Sequence, residues 1–395
     1  MSLADSDWSI PSTMHAAVYK GQSVVAVEEI STPEIGPGEI LVRVEACGIC
    51  HTDLKKIQHN LLAPPRIYGH ETAGVVVRTG PPRKGRASRA AAERKEPQNQ
   101  RGAGRPFCAA PGEVDRFAPG DRVIVFHHIP CGACFYCRRN LYAQCPIYKK
   151  VGVTAGYEPA GGGFSQYVRA MDWIVERGVE KIPDGVSFER ACFVEPVNTC
   201  LKAVVQCAAQ PDEFAVVIGQ GPIGLLFTML LRRTGATIVA TDTIAQRREL
   251  SRRCGAFEAW DPRETDVEMR VRRLTGGRGA DLVVVAASVP GIVEQALRLS
   301  RPGARILLFA QTSDTERVEF SGASVCVGER TLFGCYSASV DLQRESADLV
   351  FSGALPVEEL ISHRLPLVKI RSGIDLALHP GPESLKIIVQ PQRLS

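Results

Sequence analysis

Between Met14 and Arg43 apolar and polar residues alternate in short runs, around Ala17 to Tyr19 and from Ile40 to Val44, punctuated by Pro33, Gly36, Pro37 and Gly38. A period of two predicts short β-strands. The pattern returns at 73–77, 122–126 and 164–168, so the first half is expected to be mostly antiparallel β with long loops. Near residue 190 it changes. Residues 191–208 hold no glycine and one proline, Pro196, and read as a helix. Apolar strands at 215–218, 237–241, 281–286 and 305–309 then alternate with helices at 223–234, 246–254 and 291–299. That alternation predicts a parallel sheet covered on both faces. The tail carries two helical stretches and a last strand at 384–389, expected to return to the first domain. The expected class is α/β, divided at 14–197, 198–337 and a returning segment 338–395.

Composition adds little beyond this. The chain has 395 residues, 45% apolar and 23% charged, as a soluble two-domain protein would. Its net charge of +4 is local. Arg83, Lys84, Arg86, Arg89, Arg94, Lys95, Arg101 and Arg105 face only Glu93 and Glu96, so the remaining chain is net acidic. A nucleic-acid partner needs a basic folded face, and none is expected. The stretch 81–112, poor in large apolar residues, is expected to be a disordered surface insertion. The uncharged run 214–231 contains Gly219, Gly221, Pro222 and Gly224, which suit a strand, turn and helix, not a membrane span. Residues 1–12 hold Asp5 and Asp7 and no apolar core, so no secretory signal is expected. Thirteen cysteines, odd in number and partly clustered, point to reduced thiols and metal ligands in a cytoplasm.

The densest chemical signal is Cys131, Cys134, Cys137 and Cys145, spaced C-x-x-C-x-x-C-x7-C. Four thiolates at this spacing suit a closed, structural zinc site. A second constellation joins Cys47, Cys50, His51, Thr52 and Asp53 to Gly69, His70 and Glu71. Alone, Cys47 and Cys50 would read as a redox pair. With His70 and nearby carboxylates, the set can supply three ligands of a catalytic zinc, leaving a fourth position open. The third signal is G-x-G-x-x-G at Gly219, Gly221 and Gly224, enclosing Pro222 and Ile223. It follows a predicted strand, opens a helix and precedes a strand ending at Asp242. In that context the glycines let the backbone approach a pyrophosphate at the helix N-terminus, and Asp242 takes the ribose hydroxyls.

In this order, with Gly120 to Val123, Glu195 and Pro196 between them, the motifs resemble the zinc-containing medium-chain dehydrogenases, closest to the sorbitol and threonine dehydrogenase branch. The resemblance covers Met14 to Pro391. It implies a GroES-like catalytic domain, a Rossmann domain, two zinc ions, NAD and a homo-oligomer (dimer or tetramer). By matching position it makes Cys50 and His70 zinc ligands and leaves the third open between Glu195 and Glu71. Thr52 would touch the substrate oxygen and Asp53 would orient the ligands. His51 and Lys386 would face the pyrophosphate, Arg247 the ribose and Thr199 the nicotinamide. Lys55 stands where relatives carry a relay histidine, a departure. His127 and His128 fall where relatives shape the substrate cleft. The implied reaction is hydride transfer between a secondary alcohol or polyol and NAD. Threonine or a simple alcohol is the alternative within the family. A silent nucleotide-binding protein and a zinc-ribbon nucleic-acid binder are the alternatives outside it.

Overall fold

The computed structural model describes residues 9–82, 116–150, 152–310 and 317–393. Most of the predicted insertion, 83–112, lies outside the described residues. Strands Thr13–Gly21 and Val24–Ser31 form a hairpin. Beside it runs a sheet ordered Ile361–Pro366, Lys386–Gln390, Ile40–Gly48, Glu71–Thr79, Arg122–Val125 and Val179–Lys181, with Tyr167–Ala170 also on Ile40–Gly48. All its pairings are antiparallel except Ile361–Pro366 with Lys386–Gln390. The chain's last strand thus returns to the first sheet, with Ile388 opposite Gly48 and Val389 opposite Cys47.

The second sheet is parallel, ordered Glu258–Trp260, Thr237–Thr241, Phe214–Ile218, Ala280–Val285, Ser300–Leu308 and Thr331–Gly334. Phe214–Ile218 and Ala280–Val285 are buried throughout, which explains their unbroken apolar sequence. Alternate residues feed opposite cores. Val217, Leu282 and Val284 pack with helices Val194–Cys207 and Pro222–Arg232, whereas Val216, Val283 and Val285 pack with Val267–Leu274 and Ile292–Leu299. The first of these cores also takes Ala46, Ala73, Ile124 and Ile388 from the antiparallel sheet, so helix Val194–Cys207 is wedged between the two sheets.

Several elements differ from expectation. The helix expected over 191–208 breaks into Phe188–Ala191 and Val194–Cys207, and Pro196 sits in the first turn of the second piece, where its missing N–H is harmless. Strand Tyr167–Ala170 starts later than expected, because Ser165 turns its hydroxyl onto the Gly162 and Tyr167 carbonyls. Strand Glu258–Trp260 and helix Val267–Leu274 were not anticipated: one is three residues long, the other shows only a narrow apolar stripe. Among the described residues no helix is long and apolar enough to cross a membrane.

Candidate active site

The first site forms where two paired strands end. Strand Ile40–Gly48 runs through Ile49 to Cys50, the N-cap of helix His51–Gln58. Gly48 pairs with Glu71, the first residue of the neighbouring strand. A Cβ on Gly48 would lie 1.8 Å from Glu71 Oε2, so only glycine leaves room for that carboxylate. The ligand atoms of Cys50, His70 and Glu71 all fall within 4.8 Å of one another. A thiolate, an imidazole and a carboxylate so gathered fit a zinc ion with a fourth position free.

His70 is oriented from behind. Its Nδ1 lies 2.9 Å from Asp53 Oδ1, and both side chains are buried. Asp53 also accepts the Cys50 N–H at 3.4 Å. Nδ1 is thereby engaged and Nε2 is left for the metal. Burial alone would lower the His70 imidazole, but Asp53 and Cys50 outweigh it and raise it well above its usual range. Burial would raise the Asp53 carboxyl, and the His70 ring holds it below the usual range instead.

Lys386 reaches into the same cluster. It opens the returning strand beside Gly48, and its Nζ sits 2.6 and 2.7 Å from the Glu71 carboxylate oxygens and 3.4 Å from the Ile49 carbonyl. It neutralises a carboxylate of the metal cluster. Glu195, in the first turn of Val194–Cys207, stands outside the Cys50, His70 and Glu71 group. Burial, with Glu71 adding to it, lifts its carboxyl to about 7 against the opposing effect of His70 and Lys386. Thr199 donates to the Glu195 carbonyl at 3.2 Å and approaches its Oε1 at 3.4 Å. His51 and Thr52 occupy the exposed first turn of their helix, and Lys55 follows on the next.

His127 packs on His70 with ring centroids 5.0 Å apart, and on His128 at 3.6 Å. Burial pushes both imidazoles well below their usual range.

The four-cysteine lobe also closes. Its sulfurs lie within 4.8 Å of one another, with Cys134 to Cys137 at 3.5 Å and Cys131 to Cys137 at 3.8 Å. Zinc–sulfur bonds of about 2.3 Å in a tetrahedron place sulfurs about 3.8 Å apart, so the lobe fits a structural zinc. Burial raises the Cys145 thiol, but N–H groups of Cys131, Tyr148 and Ile147 outweigh this and bring it to about 6.

The dinucleotide loop joins strand Phe214–Ile218 to helix Pro222–Arg232. Gly219 has φ +89°, and a Cβ on Gly224 would lie 1.8 Å from the Gly219 carbonyl oxygen. A Cβ on Gly221 would meet nothing within 4 Å, so the space before the helix start is open to a pyrophosphate. Pro222 and Ile223 begin the helix. Asp242, just past Thr237–Thr241, accepts the Gln220 N–H at 2.7 Å and the Ile244 N–H at 2.8 Å. Arg247 turns its Nη2 to the Ser384 carbonyl at 2.9 Å, tying its helix to the tail. Sequence reasoning did not find the ties across the two halves. Asn198 exchanges hydrogen bonds with Ser339 at 2.9 and 2.7 Å, and Tyr148 bonds Ser337 and Ala338, partners too distant in sequence to leave a local signal.

Residues 222–352 match the family described as zinc-binding dehydrogenase, and residues 36–91 and 107–184 match the alcohol dehydrogenase GroES-like domain. Sorbitol dehydrogenase of Bacillus subtilis is 26% identical over 98% of this chain and 99% of its own. L-Threonine 3-dehydrogenase of Pyrococcus abyssi is 28% identical over 88% of this chain and 90% of its own. A zinc-binding dehydrogenase of Sinorhizobium meliloti, solved with NADP, superposes with a TM-score of 0.79 at 27% identity, covering 96% of this chain and 100% of that one.

Proposed function

The chain belongs to the zinc-containing medium-chain dehydrogenases, in the sorbitol and threonine dehydrogenase branch, and we propose that it oxidises a secondary alcohol of polyol type with NAD. The observation that carries this is the convergence of Cys50, His70 and Glu71, with Asp53 locking the imidazole. These three residues would hold the catalytic zinc, and Cys131, Cys134, Cys137 and Cys145 the structural one. When bound, the catalytic zinc supplies a Lewis acid for the substrate hydroxyl and the nicotinamide supplies the redox partner. Lys386 offsets the charge of Glu71, which otherwise would repel Glu195 across the cluster. Thr52 donates to or accepts from the reacting hydroxyl and leads its proton toward solvent. Glu195, lifted to about 7, is poised to exchange a proton near neutral pH. The Gly219 to Gly224 loop seats the pyrophosphate, Asp242 the ribose, and Thr199 steadies the nicotinamide side of the cleft.

The domain division at 197 and 337, a cytoplasmic location and a homo-oligomer belong to the same proposal. Supporting them are the absence of disulfides among the described residues and the exposed Val318, Phe320 and Val327 near the edge strand Thr331–Gly334. The test compares kcat/KM with NAD⁺ for sorbitol-like polyols, threonine, butan-2-ol and ethanol. Polyols are expected to lead; a tenfold lead for ethanol or another simple primary alcohol would remove the polyol reading.

A further inference from the structure

The consecutive residues Tyr336 to Ser339 are each gripped from outside their own turn. Lys202 Nζ donates to the Tyr336 carbonyl at 2.8 Å. The Tyr148 hydroxyl bonds Ser337 Oγ and the Ala338 carbonyl at 2.9 Å each. Asn198 exchanges bonds with the Ser339 N–H and carbonyl. A carbonyl only accepts, so the Tyr148 phenol donates to Ala338 and accepts from the Ser337 hydroxyl. The turn needs this grip, because Ser337 has φ +58°, a left-handed conformation that costs energy in any residue with a Cβ. Strained backbone persists where its surroundings over-determine it, and such places gather at ligand sites. The turn follows strand Thr331–Gly334. Its sheet is parallel, so the turn lies at the same carboxyl edge as the Gly219 to Gly224 loop and Asp242. Open α/β sheets bind their ligands at that edge. Asn198 and Lys202 reach the turn from helix Val194–Cys207, but Tyr148 comes from the other half of the molecule. It is anchored in the four-cysteine lobe, where its N–H bonds the Cys145 carbonyl at 3.0 Å and its buried ring stacks on His128.

Building on the dehydrogenase reading, we propose that Tyr148 is a positioning residue that ties the four-cysteine lobe to the 336–339 turn and holds that turn in its strained pose for the dinucleotide. Without the phenol hydroxyl, Ser337 relaxes toward ordinary backbone angles. The binding-competent turn is then populated only part of the time, and apparent affinity falls by that fraction. Tyr148 thus acts through the turn, on cofactor binding and not on the hydride step.

Tyr148→Phe deletes the hydroxyl and keeps the ring on His128. Titrating NADH into native and variant protein, followed by its fluorescence, measures the effect. Tyr148→Phe should raise the NADH Kd about three- to tenfold, the range that one or two net hydrogen bonds are worth. It should raise KM for NAD⁺ alongside, keep the native zinc content, and leave kcat at saturating NAD⁺ no lower. Ser337→Ala cuts the same contact from its other end and decides the matter should Tyr148→Phe not fold. It too should weaken NADH binding, and the double variant should bind little worse than either single one, since both remove one interaction. An unchanged Kd with a lower unfolding temperature overturns the proposal and reduces the hydroxyl to a brace between the two halves. A weaker Kd accompanied by loss of zinc overturns it too, because the lobe itself has then come apart. Either result leaves the dehydrogenase reading standing. A native chain that binds neither NADH nor NADPH overturns both.

Discussion

Lys386 and Glu71 form a fully buried ion pair, with Nζ 2.6 and 2.7 Å from the two carboxylate oxygens, inside the cluster proposed to hold the catalytic zinc. Removing one partner of such a pair strands the other charge, which typically costs about 3–5 kcal/mol. Lys386→Met is therefore expected to destabilise the metal-free protein by roughly that amount. Adding Glu71→Gln should restore most of it. Urea unfolding of the two single variants and the double variant measures the coupling; additive losses would mean that the pair is not what stabilises this corner.

This pair also shows where the sequence stops being legible. The four cysteines and the glycine loop could be read because their members are close in sequence and their geometry is local. Cys50, His70, Glu71 and Glu195 could be nominated by residue type, but that Glu71 gathers with Cys50 and His70 depends on Gly48 pairing with Glu71 across two strands. Lys386 and Arg247 are matched to the cofactor by resemblance alone, and the bonds each makes within the protein, to Glu71 and Ser384, join residues too far apart in the chain to leave a local signal. The parallel sheet is legible from its apolar runs except at its two edges, where Glu258–Trp260 and Thr331–Gly334 are too short to show a period.

NAD is expected to be preferred over NADP. A carboxylate after the second Rossmann strand accepts ribose hydroxyls and repels a 2′-phosphate. The arginines that could offset it are engaged elsewhere, Arg247 with Ser384 and Arg248 with the Asp242 carbonyl and the Asp261 carboxylate. The kcat/KM ratio should favour NAD⁺ by roughly tenfold or more, and Asp242→Ser should shift it toward NADP⁺. A native preference for NADP⁺ would show that Asp242 does not read the ribose.

Glu195 should leave a signature in the pH dependence of stability. Its carboxyl rises from 4.5 when unfolded to about 7 when folded, so it favours folding fully below 4.5 and loses that contribution as pH climbs through 7. Metal-free protein should thus weaken across this window, and Glu195→Gln should flatten the slope. Identical slopes in thermal scans of the two proteins would place the Glu195 carboxyl in an ordinary aqueous setting.

The insertion is expected to be dispensable. Strands Glu71–Thr79 and Arg122–Val125, which it separates in sequence, are direct neighbours with Val75 opposite Arg122. Residues 92–106 also fall between the two segments that match the family. Replacing 83–112 with a short glycine-containing turn should leave kcat/KM unchanged, because closure entropy grows only slowly with the length of a connection. A large drop in turnover would place the segment at the cleft or at a subunit contact.

The most direct test of the whole account counts zinc and turnover together in Cys50→Ala and Cys134→Ala. Native protein should carry two zinc ions per chain. Cys50→Ala should keep one zinc and its fold but oxidise no alcohol, whereas Cys134→Ala should lose the other zinc and with it stability, since a structural site contributes folding free energy directly. A Cys50→Ala protein that retains both zinc ions, or that turns over alcohol at the native rate with one, would contradict the assignment of a catalytic metal to Cys50, His70 and Glu71.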